Sequence, residues 1–322
     1  MRAIVITEPG EPDVLQPADV TDPVPGPEDL LIEVAAAGVN RADVLQRLGQ
    51  YPPPPDAPPW PGLEVAGVVL SGPVGWAAGS PVAALLGGGG YAERVAVPAA
   101  LALPVPPGLT HRAAAALPEA LATAWSTFDA AGLRSGDTVL VRGGSGGVGS
   151  IAVQMAAAVF GARVLATAGG PARTARLTEL GVDVPLDHRA DDLVDQVRAA
   201  TGGAGVDVIL DVLGAGGLAD NVAMLADGGR LAVIGLQRGR RAELDLGQLV
   251  ARRLTVLGTA LRSRAPADKA RIMAGVREHV WPSVASGRIR PLVHAALPLD
   301  QAAEAHRLLD SGEVFGKLVL EP

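Results

Sequence analysis

The chain has 322 residues, a formal net charge of −7 and no cysteine. This length accommodates two domains at about 100 to 200 residues each. The acidic balance argues against a nucleic-acid surface, because phosphate contacts need clustered cations. The absence of cysteine removes disulfides, thiol catalysis and every thiolate metal site.

The sequence gives no sign of a membrane span or a secretion signal. The longest uncharged run, residues 65–92, is interrupted by eight glycines and two prolines, whereas a spanning helix needs about 20 continuous apolar residues. The apolar run at the N-terminus, within Met1–Glu8, is too short for a signal peptide. We therefore expect a soluble, cytoplasmic protein.

Residues 1–117 are predicted to form a β-rich domain. Short apolar runs there are bounded by Pro, Gly and Asp, which is typical of a partly open barrel or sandwich. The expected strands are Arg2–Thr7, Leu30–Ala37, Val65–Leu70, Val82–Leu86, Tyr91–Val97 and Leu101–Pro104.

The pattern changes at Pro118, where a helix is predicted over Leu117–Ala131. Strands then alternate with segments whose apolar residues recur at helical spacing. Six strands joined by crossover helices predict an α/β fold with a doubly wound, parallel Rossmann sheet over residues 118–264. The expected strands are Val139–Arg142, Arg163–Thr167, Asp183–Leu186, Val206–Asp211, Arg230–Gly235 and Thr255–Thr259.

Residues 265–322 are predicted to return to the first domain. We expect one long helix over Asp268–Ser286, bent or ended by Pro282, and a short helix over Asp300–Asp310 with Asp300 as its N-cap. A final strand, Lys317–Leu320, needs a partner. The N-terminal β domain is the expected partner sheet.

A glycine turn follows the first strand of the predicted Rossmann sheet. The spacing Gly144-Ser145-Gly146-Gly147-Val148-Gly149 matches G-x-G-x-x-G. In such a turn the first glycine reverses the chain, the second admits a pyrophosphate and the third lets the new helix lie close to the sheet. Alone the motif is weak in a chain with 41 glycines, but its place after a strand and before a helix predicts a dinucleotide site.

The second strand of this sheet favours NADPH over NADH. NAD-binding domains place an Asp or Glu about 20 residues after the turn, yet no acidic residue occurs between Asp137 and Glu179. The strand ends instead in Ala168-Gly169-Gly170-Pro-Ala-Arg173, which offers N–H groups and a guanidinium to a 2′-phosphate. The alternative for Arg173 is a solvated charge in the first turn of a helix.

Several ordered motifs are spread over nearly the whole chain. They are Gly38-Val-Asn40-Arg-Ala-Asp43, Tyr51-Pro-Pro-Pro-Pro, Gly62-Leu-Glu-Val-Ala-Gly67, Gly89-Gly-Tyr-Ala-Glu93, Leu117-Pro-Glu119, Thr123-Ala-Trp125, the glycine turn, Gly235-Leu236-Gln237, Leu261-Arg-Ser-Arg264 and Gly316-Lys317. Together they resemble the zinc-free quinone oxidoreductases of the medium-chain dehydrogenase/reductase superfamily. The resemblance implies a GroES-like fold for the β-rich domain.

Zinc-dependent relatives are similar too, but this chain lacks their metal ligands. Leu63 stands where those relatives place a His, and their catalytic and structural Cys residues have no counterpart. The five histidines show no ligand spacing and are expected in surface or loop positions. No metal site is predicted.

The resemblance implies a substrate-side cluster of Asn40, Asp43 and Tyr51. Asn40 and Asp43 could also cap the helix that starts near Arg41, and Tyr51 could be a packing anchor for its proline-rich loop. A second Tyr that some relatives carry is Leu45 here.

Other positions match the family's cofactor site. Arg173 and His188 correspond to the 2′-phosphate end, and the remaining positions to the nicotinamide end. The latter are Thr123, Gly235, Leu236, Leu261, Arg262 and Lys317.

The activity implied is hydride transfer from NADPH to a quinone. The first alternative is reduction of an α,β-unsaturated carbonyl (an enone, enal or enoyl thioester), which also needs a proton on carbon. The second is a non-enzymatic NADPH-binding or RNA-binding protein. A homodimer is typical of the proteins that the chain resembles, and the apolar run Leu231–Leu236 is compatible with packing through edge strands of the Rossmann sheet. Glu119 and Asp129 are expected to be solvated.

Overall fold

The computed structural model describes every residue from Met1 to Pro322. The residues form two compact units. The first comprises Met1–Ala122, Arg262–Glu278 and Pro291–Pro322, and the second comprises Thr123–Leu261 and His279–Arg290. Residues 279–290, expected in the return segment, therefore belong to the second unit.

Fifteen β-strands follow one another along the chain. They are β1 (Arg2–Ile6), β2 (Leu15–Asp19), β3 (Asp29–Val39), β4 (Glu64–Ser71), β5 (Pro81–Leu85), β6 (Arg94–Pro98), β7 (Ala102–Pro104), β8 (Thr138–Val141), β9 (Arg163–Ala168), β10 (Val184–Asp187), β11 (Val206–Asp211), β12 (Leu225–Val233), β13 (Thr255–Gly258), β14 (Val293–Pro298) and β15 (Lys317–Glu321).

Eleven α-helices accompany them, together with short 3₁₀ turns and one π-helical segment. They are α1 (Arg41–Arg47), α2 (His111–Ala114), α3 (Pro118–Ala130), α4 (Gly147–Ala158), α5 (Pro171–Arg176), α6 (Leu193–Ala200), α7 (Leu218–Met224), α8 (Leu246–Ala251), α9 (Pro266–Gly275), α10 (Trp281–Ala285) and α11 (Ala302–Asp310).

The first unit contains a seven-stranded sheet and a two-stranded ribbon. The sheet has the order β14-β15-β3-β4-β5-β7, with β6 also paired to β3, and the ribbon is β1-β2. Along β3, Leu30, Ile32 and Val34 are buried while Glu33 is exposed, which is the alternation of a sheet with one covered face. The last strand pairs antiparallel with β3, as the sequence predicts.

Two strands of this unit are missing from the sequence prediction. The ribbon strand β2 contains Pro17 and buries only Leu15, so it lacks a clear apolar alternation. Proline is tolerated there because each strand of a two-stranded ribbon has an unpaired edge, where a backbone N–H has no partner strand to bind. Strand β14 has no buried residue at all. Neither segment carries the period-two signal on which strand prediction depends.

The second unit contains a six-stranded sheet in the order β10-β9-β8-β11-β12-β13. Every pairing in it is parallel, which confirms the predicted Rossmann sheet. Three successive residues of β8, Val139, Leu140 and Val141, have no solvent exposure. Because successive side chains point to opposite faces, both faces of the sheet are covered.

The long helix predicted over Asp268–Ser286 is present as an uninterrupted helical run, although its middle part is π-helical. Helix α9 passes into a π-helical segment, Val276–Val280, and α10 starts at Trp281. Pro282 lies in the first turn of α10, where its missing N–H costs nothing. The prediction of Asp300 as the N-cap of the short helix is wrong, since Asp300 lies in a 3₁₀ turn and the N-cap of α11 is Gln301.

No helix of the structure combines the length and the apolar character needed to cross a membrane.

Candidate functional site

The glycine turn of the second unit connects β8 to α4 and differs from the prediction in one respect. The residue in the left-handed region is Gly143, with φ of +78°. A Cβ on Gly144 would instead lie 2.9 Å from Cβ of Ala166 on β9. The chain therefore reverses at Gly143, and the role of Gly144 is close packing against the neighbouring strand.

The two later glycines have different surroundings. A Cβ on Gly149 would lie 2.0 Å from the carbonyl oxygen of Gly143, whereas a Cβ on Gly146 would have no neighbour nearer than 3.5 Å. Gly149 thus brings α4 against the turn. Gly146 leaves open space beside the backbone, which is the room that a pyrophosphate needs.

Helix α4 begins without a side-chain cap, because its N-cap residue is Gly146. The N–H groups of its first turn, including those of Gly147, Val148 and Gly149, have no partner within the helix. These donors and the positive end of the helix dipole favour a bound anion. The turn therefore fits the diphosphate of a dinucleotide.

Arg173 lies on α5 and reaches back to the glycine turn. Its Nη2 donates to Oγ of Ser145 at 3.2 Å, so the guanidinium and the turn are parts of one site. One predicted donor is engaged elsewhere, because the N–H of Gly170 donates to Oδ1 of Asp187 at 3.0 Å. This N–H is therefore satisfied within the protein by a carboxylate.

His188 lies directly over Gly169. A Cβ on Gly169 would be 3.0 Å from Cε1 of His188 and 3.3 Å from Nη2 of Arg189. Burial lowers the pKa of His188, and the nearby guanidinium groups of Arg238, Arg189 and Arg142 lower it further, against the opposing charge of Asp187. The charges of three arginines therefore act on this imidazole. The sequence prediction missed Arg189, although it directly follows His188.

The predicted nicotinamide-end residues of the second unit follow strand ends or lie on α3. A Cβ on Gly235, just after β12, would lie 2.7 Å from the carbonyl oxygen of Val212, just after β11. Leu236 is 52% exposed and Leu261 is buried, while Thr123 is half-buried on α3. The carboxyl edge of the sheet thus presents an exposed apolar side chain next to the switch in strand order, where α/β sheets bind ligands.

In the first unit, Asn40 and Asp43 flank the start of α1. The N–H of Asn40 donates to Oδ2 of Asp43 at 2.8 Å, which is half of a capping box. Asp43 has no solvent exposure and also accepts the N–H of Gly62 at 2.9 Å and the hydroxyl of Tyr91 at 3.2 Å. Both carboxylate oxygens of Asp43 are therefore engaged within the protein.

Glu64, to which the sequence prediction gave no role, lies at the centre of this cluster and has no solvent exposure. Its Oε1 accepts from Nδ2 of Asn40 at 2.9 Å and from Nζ of Lys317. Its Oε2 accepts the N–H of Glu119 at 2.9 Å. Lys317 also donates to Oδ1 of Asn40 at 2.5 Å. The buried ammonium of Lys317 is thus held by two side chains of the same unit.

His306 corrects the prediction of surface histidines, since it has no solvent exposure. Its Nδ1 lies 3.5 Å from Nη1 of Arg47, and its Nε2 lies 3.2 Å from the hydroxyl of Tyr91. Because arginine can only donate, Nδ1 accepts and Nε2 carries the proton. A directed chain of donors then runs from Arg47 through His306 and Tyr91 to Asp43.

Burial sets the protonation of two members of this chain, Asp43 and His306. Burial raises the pKa of Asp43 to about 6, against the N–H groups of Asn40 and Gly62, which favour the carboxylate. Burial and the charge of Arg47 lower the pKa of His306 to about 3. At neutral pH the carboxylate is therefore ionised and the imidazole is neutral.

Tyr51 and Arg262 form a second polar group of the first unit. Tyr51 is half-buried, with Cζ of Arg262 5.4 Å from its ring centre. Burial raises the pKa of Tyr51; the charge of Glu119 raises it further and that of Arg262 opposes the shift. Glu119 is itself half-buried and acts on this tyrosine, so the prediction of a solvated side chain is wrong. Asp129 is exposed as predicted.

The side chains of the structure offer no metal ligand set. No group of three or more His, Cys, Asp or Glu residues is placed to hold an ion. Leu63, at the position where zinc-dependent relatives place a His, is a buried apolar residue. A catalytic zinc therefore does not fit these residues.

Two family models match the chain. The model described as zinc-binding dehydrogenase matches residues 147–274, and that described as alcohol dehydrogenase GroES-like domain matches residues 26–107. A quinone oxidoreductase of Rattus norvegicus is 33% identical over 99% of this chain and 97% of that protein. A segment of the phthioceranic/hydroxyphthioceranic acid synthase of Mycobacterium tuberculosis is 36% identical over 98% of this chain and 15% of the synthase.

Solved structures agree over the full length. The quinone oxidoreductase of Thermus thermophilus, described alone and in complex with NADPH, has a TM-score of 0.86 and 33% identity, with all of both chains covered. A structure described as an NAD-dependent alcohol dehydrogenase has a TM-score of 0.89 and 35% identity, also with full coverage. The fold and the GroES-like domain are thus shared, while these relatives differ in the cofactor that their descriptions give.

We expect the difference in unfolding free energy between the wild type and the His306→Gln variant to depend on pH. With a folded pKa of about 3, His306 takes up its proton only on unfolding between pH 3 and about 6.5. Its contribution to stability is therefore present above pH 6.5 and lost as pH falls towards 3. The wild type should lose about 2 kcal/mol relative to the variant between pH 7 and pH 5.

Urea unfolding of both proteins at the two pH values measures this difference directly. Taking the difference between wild type and variant cancels the titration of groups outside this hydrogen-bond network. A difference in unfolding free energy that is the same at pH 5 and pH 7 would contradict the buried, neutral imidazole.

Proposed function

The chain belongs to the quinone oxidoreductase branch of the medium-chain dehydrogenase/reductase superfamily, and we propose that it transfers hydride from NADPH to a quinone. The observation that carries the proposal is the uncapped glycine turn with Arg173 bonded to it. That arrangement supports a dinucleotide with an extra phosphate. The similarity to quinone oxidoreductases over the full length supports the acceptor.

The preference for NADPH is supported by charge around His188. Four arginines, Arg142, Arg173, Arg189 and Arg238, lie at the glycine turn or close enough to the imidazole to lower its pKa. The nearest carboxylate, Asp187, accepts the N–H groups of Gly170 and Arg189. It is thereby held by the backbone, and the positive potential of the arginines favours a 2′-phosphate.

When bound, NADPH supplies the hydride from C4 of its nicotinamide. The chain supplies binding, orientation and a hydrogen-bond donor. Because its pKa is raised, Tyr51 keeps its proton at neutral pH and donates to an acceptor oxygen. Conversion of a quinone to a hydroquinone takes up one hydride and one proton in total. Because both added hydrogens end on oxygen, the proton can come from water, so no metal and no strong acid is required. Asn40 and Asp43 are buried and hydrogen-bonded within the first unit, so in this proposal they order the start of α1 and leave contact with the acceptor to Tyr51.

Reduction of an α,β-unsaturated carbonyl is the second candidate, favoured by the similarity to a segment of an acid synthase. Such a reaction needs a proton delivered to carbon as well as hydride. In this chain Tyr51 is the side chain that could deliver it. The two candidate reactions therefore differ in how strongly they depend on the Tyr51 hydroxyl.

A panel of acceptors with NADPH tests the proposal and the role of Tyr51 together. We expect turnover of 1,4-benzoquinone and naphthoquinone in preference to an enal or an enoyl-CoA. Tyr51→Phe should lower kcat/KM for the quinone by about tenfold or less, because one neutral hydrogen bond is worth about 0.5–1.5 kcal/mol.

Two results of the panel would contradict this account. Preferred turnover of the enoyl-CoA, abolished in Tyr51→Phe, would favour the second candidate. Tight NADPH binding without turnover of any acceptor would favour a non-enzymatic binding protein. The thermal unfolding midpoint of Tyr51→Phe serves as the control for folding.

Arg173→Ala is expected to weaken NADPH binding about 10- to 100-fold and to leave NADH binding nearly unchanged, since a charged hydrogen bond contributes about 1.5–3 kcal/mol. Arg176→Ala on the same short helix is the matched control, because it removes the same charge from an exposed position. Calorimetric titration of each variant with both cofactors is the measurement. Equal weakening of NADPH and NADH would refute the assignment of Arg173 to the 2′-phosphate.

We also propose that the protein is a homodimer through β13, which is an edge of the parallel sheet. Val256 on that strand and Leu246 and Val250 on α8 are 39%, 65% and 74% exposed. A twofold pairing of two β13 strands would cover the unpaired edge.

Light scattering should give twice the 32.5 kDa chain mass for the wild type. The mass should shift towards one chain for Val256→Arg, because a charge on the edge strand opposes pairing. A wild-type protein that remains a monomer at micromolar concentration would contradict this assembly.

A further inference from the structure

Arg262 is buried, with 4% exposure. Each of its three guanidinium nitrogens donates a hydrogen bond to a different residue. Its Nε donates to the carbonyl of Gly87 at 2.7 Å, its Nη1 to the carbonyl of Tyr51 at 3.2 Å and its Nη2 to Oε1 of Gln46 at 2.6 Å. The same guanidinium lies against the Tyr51 ring. These contacts leave Arg262 engaged in holding protein segments of the first unit.

Gln46 extends this arrangement to the far end of the proline-rich loop. It is buried on α1, and its Nε2 donates to the carbonyl of Pro59 at 2.8 Å. The two bonds fix the orientation of its amide, since Oε1 must face the arginine. Arg262 thus holds the loop at Tyr51 directly and at Pro59 through Gln46.

The loop between these two points is stiff. Four consecutive prolines follow Tyr51, and each has a fixed φ. On its inner side, a Cβ on Gly87 would be in contact with Ala57, and a Cβ on Gly88 would lie 3.1 Å from the carbonyl oxygen of Pro58 and 3.2 Å from Nη2 of Arg262. Fixing the two ends of a stiff loop fixes the position of the tyrosine that begins it.

We propose that Arg262 is a positioning residue that places the Tyr51 hydroxyl for the electron acceptor, and that it is not a ligand of the cofactor. This proposal rests on the function proposed above. It replaces the nicotinamide-end role that family resemblance implies for Arg262. The guanidinium also covers part of a ring face, so the acceptor meets Tyr51 through its hydroxyl.

Arg262→Lys tests the proposal, because lysine keeps the charge but cannot reach three divergent acceptors. We expect the KM for the quinone to rise severalfold, and by no more than the roughly tenfold effect of removing the Tyr51 hydroxyl itself, with Kd for NADPH changed less than twofold. Arg271→Lys, at a 63% exposed side chain on α9, is the matched control. It should leave both constants unchanged.

A double-mutant cycle shows whether Arg262 acts through the tyrosine. If it does, Arg262→Lys should change kcat/KM by less than about twofold in a Tyr51→Phe background, because coupled residues are not additive. An equal effect in both backgrounds, no effect in either, or a loss of NADPH affinity that matches the loss of acceptor affinity would overturn the proposal.

Tyrosine nitration by tetranitromethane gives a readout that needs no turnover. The chain has two tyrosines and Tyr91 has no solvent exposure, so nitration located by mass spectrometry reports on Tyr51. Arg262→Lys should accelerate it severalfold while Arg271→Lys does not, and an unchanged rate would overturn the proposal. If Arg262→Lys fails to fold, Gln46→Met decides by the same measurements.

The nitration result separates the two proposals. A wild-type protein that reduces no acceptor refutes the proposed function, while accelerated nitration of the variant still supports the placement of Tyr51 by Arg262. Conversely, an active enzyme whose Tyr51 reacts equally in both forms retains its proposed function and loses the role given to Arg262.

Discussion

The first unit depends on one buried carboxylate. Glu64 connects Lys317 of β15, Asn40 at the start of α1 and the N–H of Glu119 in α3. Removing one member of a buried ion pair leaves an unpaired charge and costs about 3–5 kcal/mol. The interaction therefore fixes where the last strand joins the sheet. It also places α1, and with it Asp43 and Gln46. Gln46 in turn binds the carbonyl of Pro59 at the far end of the loop that begins with Tyr51.

A steric constraint has the same importance in the second unit. The approach of α4 to the carbonyl of Gly143 permits no Cβ at position 149. It puts the uncapped N-terminus of the helix where β8 ends, beside the switch in strand order. Arg173 is bonded to that turn. In the proposed function, the unit with the parallel sheet therefore supplies the anion-binding groups, and the β-rich unit supplies the tyrosine hydroxyl for the acceptor.

The sequence predicts the regular parts of this fold because they carry periodic signals. Six parallel strands, the glycine turn and the pairing of the last strand with the N-terminal sheet are confirmed. The buried network is not predictable in this way, since Glu64 and Lys317 are 253 positions apart and no local pattern shows that they meet. Likewise, the donor chain to Asp43 needs Tyr91 and His306 from distant segments. The sequence does not reveal the reversal at Gly143, because this glycine lies one position before the G-x-G-x-x-G match, which begins at Gly144.

The central claim is that NADPH gives hydride to the acceptor within an ordered protein site. The most direct test is to run the reaction with NADPH deuterated at C4 on one face or on the other, with naphthoquinone as acceptor, and to analyse the NADP⁺ by mass spectrometry. An oriented nicotinamide predicts complete loss of deuterium from one face and complete retention from the other. Partial retention from both faces would contradict hydride transfer in a site that this chain builds.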